Sequence, residues 1–455
     1  MKMEDTEIAG QELLSEEERR EIRRQRRRKN QLIARVSMVL VFVIVLIGAF
    51  WGASILKSAL REEQKQEEIV FTEEESIDGL QETEDNAQEN SIDRLPEEEV
   101  VFDEKQVLDE VVESVISEMT LEEKVAGIFL VRPEDITGVD VAVQAGDGTK
   151  KALEEYPVAG LVYFAQNIKS EDQIKEMITN TTSYSKYPLF LAIDEEGGEV
   201  AQLANTLKVE EVPPMAEIGQ THEPQKAKEA MVSIGSYLKE YGFNLNFAPV
   251  ADILDEQEKG IFKSRSFGKD ASLVANMVSY ALEGLKETDI TACIRHFPGM
   301  GDGVEDTHEE MSVINKTKEQ LYEKELLPFI SAIQSGAEMI MVGHASYPQI
   351  IGDNTPASLS KEIITDLLRE ELEYNGIVIT DALNMAAVVE YYSADEAAVK
   401  ALKAGADLLL MPEEFSLAYE GVLNAVKEGT ISEERINDCL KRIYRIKYRN
   451  SVGEE

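Results

Sequence analysis

Eight short apolar runs, each separated from the next by a stretch of helical periodicity, constrain the fold of this chain most strongly. Short runs that are apolar throughout are typical of parallel strands buried on both faces. Eight alternating strand and helix units indicate an α/β fold and fit a (β/α)8 TIM-type barrel with insertions better than an open doubly wound sheet. The predicted strands are residues 125–131, 160–164, 189–193, 244–248, 291–295, 339–342, 377–380 and 408–410.

Polar side chains come at or just after the C-terminal ends of five of these runs. They are Asp194, Asp252, His296, His344 and Asp381. In a parallel barrel the C-terminal ends of the strands share one face, and active sites are built there from the βα-loops. We therefore expect these residues, although distant in sequence, to converge on one pocket.

The segments before the barrel differ sharply in composition. Residues 19–35 carry nine Lys or Arg and one acid, and residues 36–56 then run for 21 positions without a charge. This is enough to cross a bilayer, which takes about 20 apolar residues. The positive-inside rule makes 1–35 a cytoplasmic basic tail, 36–56 a single transmembrane helix, and the remainder extracytoplasmic. The alternative is a cleaved signal peptide, whose apolar core is usually shorter, about 7–15 residues.

The remainder of the chain divides into a spacer and a folded domain. Residues 57–104 are rich in Glu, Gln, Asp and Ser and predict a disordered acidic linker, and the folded domain occupies 105–450. A formal net charge of -42 argues against nucleic acid as a partner. The two cysteines, Cys293 and Cys439, imply no disulfide framework, and we expect both to be core residues.

One glycine-rich stretch, residues 295–308, holds two of the four histidines and is the best clue to chemistry. It follows a predicted strand, so its ionisable groups stand where a strand ends and a loop begins. Asp306 and His308 are two residues apart. The carboxylate can therefore hold one imidazole nitrogen and leave the other free to exchange a proton with a substrate. The spacing suggests a catalytic dyad.

Three other residues are candidates for the same pocket. Asp381 ends the run 377–380 and is a candidate nucleophile, or else the N-cap of a helix from Ala382 onward. Asp194 precedes two acids and two glycines, and it could either accept hydrogen bonds from a sugar or belong to a turn of solvated acids. Arg265 could supply a cation to the pocket or form a surface ion pair.

Taken together, these segments resemble glycoside hydrolase family 3, in particular its β-N-acetylglucosaminidase branch. The order and spacing agree over residues 107–448. The matching segments are MTLEEKVAGIFLV (119–131), VAGLVYFAQNI (158–168), LAIDEEGG (191–198), FNLNFAPVAD (243–252), SRSFG (264–268), RHFPGMGDGVEDTH (295–308), MVGHASYP (341–348) and GIVITDALNM (376–385).

The resemblance implies a role for each matching residue. Asp381 matches the nucleophile that forms a covalent glycosyl–enzyme intermediate, and His308, oriented by Asp306, matches the general acid/base. The positions that hold the sugar are Asp194, Arg265, Arg295 and His296; His344 lies in a matching motif without a clear role. No metal and no organic cofactor is implied.

The resemblance also implies an activity. We expect a retaining exo-β-N-acetylglucosaminidase that hydrolyses peptidoglycan-derived glycans, anchored in the cell membrane by one helix, with an extracytoplasmic catalytic domain. The alternatives are a β-glucosidase or β-xylosidase of the same family, and a catalytically silent protein that binds cell-wall carbohydrate. The sequence leaves open the sugar after the scissile bond, the acceptor (water or phosphate), and self-association.

The chain departs from the family pattern at four places. Glu199 stands where arginine is common, and Gln202 or Leu203 where a second basic residue is common. Arg295 replaces lysine and Met300 replaces histidine. The nucleophile and the dyad are retained, so we expect activity, while the effect of these departures on substrate preference stays open.

Overall fold

The computed structural model describes residues 104–254, 262–301 and 311–451. Within these residues a strand lies at each of the eight predicted apolar runs, and every residue of these strands is buried. Both faces of the sheet are therefore covered, as the continuous apolar runs indicate. The strands are β1 (Phe129–Val131), β2 (Gly160–Tyr163), β3 (Phe190–Ile193), β4 (Leu245–Asn246), β5 (Thr291–Phe297), β6 (Met339–Val342), β7 (Ile377–Thr380) and β8 (Leu409–Leu410).

The eight strands pair in parallel and in chain order. Each strand from β1 to β6 pairs with the next one, and β8 pairs with β1 through Leu409 and Phe129. The remaining junction, between β7 and β8, is a single parallel bridge from Ile379 to Leu408. The sheet is a nearly closed eight-stranded parallel barrel, and the predicted α/β barrel is confirmed in this form.

Helices fill the connections between the strands. The connection between β5 and β6 contains two helices, Lys318–Glu323 and Leu327–Gln334, and Pro328 lies in the first turn of the second one, where its missing N–H costs no hydrogen bond. The predicted strand at 125–131 is shorter than expected because a helix with a capping box at Thr120 and Glu123 takes its first residues. The α-helices are Glu104–Glu118, Leu121–Ala126, Pro133–Thr137, Asp147–Glu155, Glu171–Tyr184, Gln202–Leu207, Met215–Gln220, Pro224–Tyr241, Ala271–Glu287, Lys318–Glu323, Leu327–Gln334, Pro348–Ile351, Ala386–Val389, Ala394–Ala404, Phe415–Lys427 and Glu433–Lys447, and Glu362–Glu371 is a π-helix.

The predicted N-terminal segments fall almost entirely outside the described residues. This applies to the basic tail at 1–35, the transmembrane helix at 36–56 and the linker up to residue 103, which stay predictions. Among the described residues, no helix combines the length and the apolar character needed to span a bilayer. Both cysteines are buried, as expected from the sequence.

A short antiparallel hairpin after β3 was not predicted. Its strands are Glu195–Gly197 and Val200–Ala201, and we call it the 195–201 hairpin. Gly198 in its turn has φ of +60°, and a Cβ at this position would lie 2.8 Å from Pro214, so only glycine fits. The backbone N–H of Gln202 donates to the Asp194 carbonyl (3.1 Å), which ties the hairpin to the end of β3.

The buried carboxylate of Glu195 anchors this hairpin from within. It accepts the backbone N–H groups of Leu203 (2.8 Å) and Ala204 (2.9 Å) and the hydroxyl of Tyr237 (2.9 Å). The first turn of the helix Gln202–Leu207 is thereby capped by the hairpin itself. The hairpin and this helix form one hydrogen-bonded unit at the C-terminal end of β3.

Asp407 joins β7 to the closing helix Glu433–Lys447. It is completely buried and accepts hydrogen bonds from the backbone N–H of Val378 (2.9 Å) and from Arg442 (3.2 Å). It also forms ion pairs with Arg369 and Arg435. One carboxylate thus holds three guanidinium groups from two helical segments against the barrel.

Substituting Asp407 by asparagine is expected to lower the free energy of unfolding by about 1.5–3 kcal/mol, the range for hydrogen bonds to charged groups. The amide keeps the shape of the carboxylate but leaves the guanidinium groups without their counter-charge. Urea unfolding followed by circular dichroism measures the effect. The matched control is Asp366→Asn, because Asp366 pairs with Lys361 at the surface and should contribute little. Equal unfolding midpoints for the two variants would contradict the prediction.

Candidate active site

A cavity of about 300 Å³ opens among the C-terminal ends of the barrel strands. Five predicted site residues, Asp194, Arg265, Arg295, His296 and Asp381, line it together. They come from the end of β3, the segment before the helix Ala271–Glu287, β5 and the end of β7. The barrel thus brings them together as expected. The other lining residues are Val162, Phe164, Val200, Gln202, Phe247, Phe262, Met300, Met341, Ala382, Met385, Leu410 and Met411.

The other two predicted catalytic residues, Asp306 and His308, lie between 302 and 310, outside the described residues. Their distance from Asp381 therefore stays a prediction. The described part of the chain contains no group of three or more His, Cys, Asp or Glu side chains placed to hold a metal ion.

Asp381 stands at the C-terminal end of β7 with its carboxylate fixed. Its Oδ1 accepts the backbone N–H of Ala382 (2.8 Å). Burial raises the pKa of Asp381, but His344, His296, this N–H group and Arg295 together lower it by more, so the pKa lies below its ordinary value. The carboxylate is therefore ionised at neutral pH, as a nucleophile must be.

The interpretation of Asp381 as a helix N-cap is wrong. The helix that follows β7 begins at Ala386, and its N-cap is Met385. The residues between Asp381 and this helix form a turn that lines the cavity. The position of Asp381 therefore places an anionic group beside the cavity rather than at the start of a helix.

Two arginines and two acids form a buried network along one side of the cavity. Arg295 pairs with Asp194 (Nη1 to Oδ1, 2.6 Å) and with Glu196. Arg265 binds the same Glu196 carboxylate through two nitrogens, at 2.7 and 2.8 Å. Such bidentate pairs fix the plane of the guanidinium as well as its position. The alternative interpretations, a turn of solvated acids at Asp194 and a surface ion pair for Arg265, are therefore wrong, because these ion pairs lie within the cavity wall.

Glu196 is the centre of this network. Its carboxylate is fully buried, and burial raises its pKa, but Arg295 and Arg265 lower the pKa by more, so that the net shift is downward. An ionised Glu196 balances one of the two guanidinium charges and Asp194 balances the other. The network is therefore neutral overall while its edge still offers charged donors and an acceptor to a ligand.

His296 is held by a second carboxylate, Asp252. Asp252 Oδ2 lies 2.7 Å from His296 Nδ1 and also accepts the His296 backbone N–H (3.1 Å), while Oδ1 accepts the Met300 N–H (2.5 Å). A proton on Nδ1 leaves Nε2 as the nitrogen available to a ligand. The ring of Phe262 packs against His296 at a centroid distance of 5.4 Å. The imidazole is thus fixed in orientation and tautomer.

His344, which lies in a matching motif without a clear role, is buried close to Asp381. Its Nδ1 lies 2.6 Å from Ser358 Oγ, and its Nε2 lies 2.9 Å from the Ala382 carbonyl oxygen. Ala382 is the residue whose N–H binds Asp381. His344 therefore positions the peptide that holds the Asp381 carboxylate and does not itself line the cavity.

The glycines of the segment 295–301 allow the chain to pass close to its neighbours. A Cβ on Gly301 would lie 1.6 Å from the Ile253 carbonyl oxygen, so no side chain fits there. Met300, between the two glycines, packs against Gly343, where a Cβ would lie 2.3 Å from the Met300 sulfur. Met300 thus fills the cavity wall with a thioether, which adapts easily to the shape of its neighbours.

Three residues of the site had no assigned role at the level of sequence. Asp252 was identified only as a polar residue after a predicted strand, and this position is the sequence feature that could have indicated its role. Glu196 and Gln202 lie on the 195–201 hairpin and the helix after it, and the hairpin itself was not predicted. No pattern in the sequence distinguishes Glu196, which pairs with the two arginines, from its neighbours Glu195 and Glu199.

A parallel barrel with an ionised aspartate at the end of β7, opposite charged and polar groups suited to hydroxyls, has the architecture of a glycoside hydrolase. The chain belongs to glycosyl hydrolase family 3. The family model described as the glycosyl hydrolase family 3 N terminal domain matches residues 120–446, more than half of the chain. The expectation of a glycoside hydrolase of this family is confirmed.

Two relatives carry the names beta-hexosaminidase A and beta-hexosaminidase. The protein from Idiomarina loihiensis is 30% identical over 312 residues, which cover 67% of this chain and 91% of the relative. Beta-hexosaminidase A from Pseudoalteromonas piscicida is 29% identical over 326 residues, which cover 65% of this chain but only 54% of the relative. The chain therefore matches nearly all of one relative and about half of the other.

Solved structures of two beta-N-acetylglucosaminidases have a similar fold. A glycoside hydrolase family 3 beta-N-acetylglucosaminidase from Paenibacillus sp. str. FPU-7 superposes with a TM-score of 0.69 at 34% identity, covering 74% of this chain and 64% of that one. The beta-N-acetylglucosaminidase from Thermotoga maritima gives a TM-score of 0.61 at 26% identity, covering 71% and 66%. The barrel of this chain is similar to both.

Proposed function

We propose that the chain is a retaining exo-β-N-acetylglucosaminidase, a β-hexosaminidase that removes terminal β-linked N-acetylglucosamine through a covalent intermediate on Asp381. The observation that carries the proposal is the ionised Asp381 carboxylate, held by the Ala382 N–H in a cavity that is also lined by the four residues predicted to hold the sugar. The names of the relatives support the choice of sugar.

The chemistry requires a second group beside the nucleophile. It must first protonate the leaving oxygen and then deprotonate the incoming water. We assign this role to His308, oriented by Asp306, on the basis of the family resemblance. An imidazole with an ordinary pKa of about 6.5 exchanges protons readily near neutral pH.

The cavity supports the binding of one sugar ring. Asp194 and His296 Nε2 can accept hydrogen bonds from hydroxyl groups, and the guanidinium groups of Arg265 and Arg295 can donate them. Apolar side chains, among them Met300 and Met385, cover the rest of the wall and suit the carbon faces of the ring and an acetyl methyl group. The combination fits an N-acylated amino sugar.

Peptidoglycan-derived glycans are our proposed natural substrate. The reasons lie in the sequence: a membrane helix at 36–56, an acidic linker and an extracytoplasmic orientation would set the barrel near the cell wall. The orientation can be tested in cells with a membrane-impermeant maleimide and one cysteine introduced between 57 and 103. Since Cys293 and Cys439 are buried, the native chain gives a low background. Labelling only after permeabilisation would refute the outward orientation.

The activity is tested with the purified full chain on three chromogenic substrates: an N-acetyl-β-glucosaminide, a β-glucoside and a β-xyloside. We expect turnover of the first to exceed that of the others. Preference for the glucoside or xyloside would replace the proposed specificity, and binding of the sugar without turnover of any of the three substrates would replace catalysis with carbohydrate binding. Repeating the assay with phosphate and looking for sugar 1-phosphate identifies the acceptor.

The pH profile of kcat/KM should reflect the environment of Asp381. Because its pKa is lowered in the folded chain, the acid limb should lie below the ordinary aspartate value of about 3.9. By linkage, ionised Asp381 stabilises the fold above its unfolded pKa, and this contribution is lost as the pH falls through the folded pKa. Initial rates from pH 3 to 8, with circular dichroism at each pH to verify folding, measure the limb. An acid limb above pH 5 in folded protein would contradict the prediction.

A further inference from the structure

A second cavity, of about 790 Å³, opens on the same face of the barrel as the active site. It lies between the segments 214–222 and 263–273, and we call it the side groove. These segments belong to the connections that follow β3 and β4. Such connections lie at the C-terminal face of a parallel barrel. The proposed function leaves the side groove without a role.

The side groove and the active-site cavity share a wall. Glu199 and Ser264 line the groove, while their chain neighbours Val200 and Arg265 line the cavity. Consecutive Cα atoms are about 3.8 Å apart, so this wall is thin. The Ser264 hydroxyl donates to the Glu199 carboxylate (3.2 Å) and joins the two halves of the wall. The groove is therefore the adjoining space for the part of a longer substrate that the cavity cannot hold.

The floor of the side groove is apolar and already formed. Phe267 and Leu254 are buried there, and Leu273 is half-buried. A Cβ on Gly219 would lie 1.8 Å from the Phe267 carbonyl oxygen, so the helix Met215–Gln220 contacts the segment 263–273 directly. A preformed concave surface of this kind is typical of small-molecule sites.

Lys263 is a cation of the side groove without a counter-charge. It is exposed, and its ammonium group makes no ion pair or hydrogen bond with the described residues. Two acids of the groove have other partners: Glu199 accepts from Ser264, and Asp270 accepts the backbone N–H of Leu273 (2.8 Å). Lys263 is therefore available to an anionic group of a ligand.

The groove as a whole carries charges of both signs, because Glu217 and Lys269 also line it. A neutral oligosaccharide makes no use of such charges above an apolar floor. An acidic peptide does, because its carboxylate pairs with a lysine, its amide N–H groups donate to a carboxylate, and its side chains cover apolar surface. With a formal net charge of -42 the chain repels acidic ligands at long range, so their carboxylates require a local cation.

We propose that the side groove is a second binding site, for an acidic peptide carried by the sugar that follows the scissile bond, with Lys263 as the partner of its carboxylate. The inference rests on the proposed function and names the part of a peptidoglycan fragment that lies outside the cavity. The terminal N-acetylglucosamine then occupies the cavity, and the peptide passes over the wall at Glu199 and Ser264. The chain should prefer fragments that retain an acidic peptide.

The experiment uses the purified full chain and two matched substrates. The acid is N-acetylglucosaminyl-N-acetylmuramyl-alanyl-glutamic acid, and the diamide is the same molecule with both carboxylates amidated. The measured quantity is the ratio of kcat/KM on the acid to kcat/KM on the diamide, because a general loss of activity cancels in this ratio. We expect about five for the wild type, the upper end for an exposed ion pair. Lys263→Gln should bring the ratio to about one, and Lys263→Glu below one. Sodium chloride at about 1 M should also lower the wild-type ratio, because it screens exposed charges.

Lys403→Gln is the matched control. Lys403 is exposed, makes no ion pair with the described residues, and lies in the last turn of the helix Ala394–Ala404, which leads into β8 from the opposite face of the barrel. This variant should keep the wild-type ratio. A wild-type ratio near one, or a ratio that Lys263→Gln leaves unchanged, would overturn the inference. So would the same ratio between the peptide-free disaccharide and its amide, because the recognised carboxylate would then be that of muramic acid itself.

Failure of the proposed function has a different signature. The wild-type chain would then turn over neither the acid, the diamide nor the chromogenic N-acetyl-β-glucosaminide. Calorimetric binding of the acid and the diamide replaces kinetics in that case. Tighter binding of the acid that is lost in Lys263→Gln supports the side groove, and equal binding of the two molecules, or none, refutes it.

Discussion

Replacing Asp381 by asparagine is expected to reduce kcat/KM on an N-acetyl-β-glucosaminide by about 10⁴-fold, equivalent to roughly 5.5 kcal/mol of barrier. Asparagine has nearly the same shape and can still accept the Ala382 N–H, so the turn after β7 should be preserved. It lacks the negative charge and nucleophilicity needed to form the glycosyl–enzyme intermediate. The fold should survive the substitution.

The measurement pairs steady-state kinetics with a test for the nucleophile itself. Azide added to Asp381→Ala can enter the space left by the carboxylate and attack the same face of the sugar. Rescue of turnover with release of the α-glycosyl azide would identify the vacated position as that of the nucleophile. Asp366→Asn, a surface variant, should retain full activity. Turnover of Asp381→Asn equal to that of wild type would end the covalent mechanism.

Substituting Asp252 by alanine should have the second-largest effect, because it damages both stability and activity. Asp252 is fully buried and accepts three hydrogen bonds, from the backbone N–H and the ring Nδ1–H of His296 and from the backbone N–H of Met300. Removing the carboxylate leaves these donors buried without a partner. The free energy of unfolding should fall by about 3–5 kcal/mol.

The asparagine variant of Asp252 isolates the effect on activity. Its amide has one acceptor oxygen where the carboxylate has two, so either the Met300 N–H or the His296 ring loses its acceptor. If the NH2 group faces His296 Nδ1, the imidazole must take the other tautomer and presents an N–H to the sugar instead of an acceptor. We expect kcat/KM to fall by about 10³-fold while most of the stability is kept.

Thermal unfolding and kinetics on the same preparations test both variants. Asp270→Asn is the control, since Asp270 caps the exposed start of the helix Ala271–Glu287 and asparagine caps equally well. An Asp252→Asn enzyme as active as wild type would mean that the orientation of His296 is unimportant. An Asp252→Ala protein with unchanged melting temperature would mean that the buried hydrogen bonds contribute little.

The sequence was sufficient to predict the barrel because its strands are apolar on both faces. Each of the eight runs became a strand, and Asp194, His296 and Asp381 at their C-terminal ends line one cavity, as parallel pairing requires. Asp252 and His344 were expected in the same pocket but do not line it; they bind His296 and the Ala382 carbonyl instead. Asp194, His296 and Asp381 could be placed in this way from their position alone. Arg265 lies in a loop, and its placement rested on the resemblance to the family.

What the sequence did not predict depends on contacts between distant segments. The 195–201 hairpin has strands of two and three residues, too short to show a period of two, and its acids look alike in sequence. That Glu196 faces inward follows from Arg265 and Arg295, which lie 69 and 99 residues further along the chain. The pairing of Asp252 with His296 is likewise set by the neighbouring strands β4 and β5.

The way the 195–201 hairpin is attached has a consequence for how specificity can change. Its anchor, Glu195, binds the helix Gln202–Leu207 and Tyr237, whereas the cavity is reached by Val200 and Gln202. Cavity-facing positions can therefore be exchanged while the anchor and the strands beneath stay as they are. Libraries confined to these two positions would be expected to yield folded enzymes with new sugar preferences, which makes the hairpin a natural starting point for engineering.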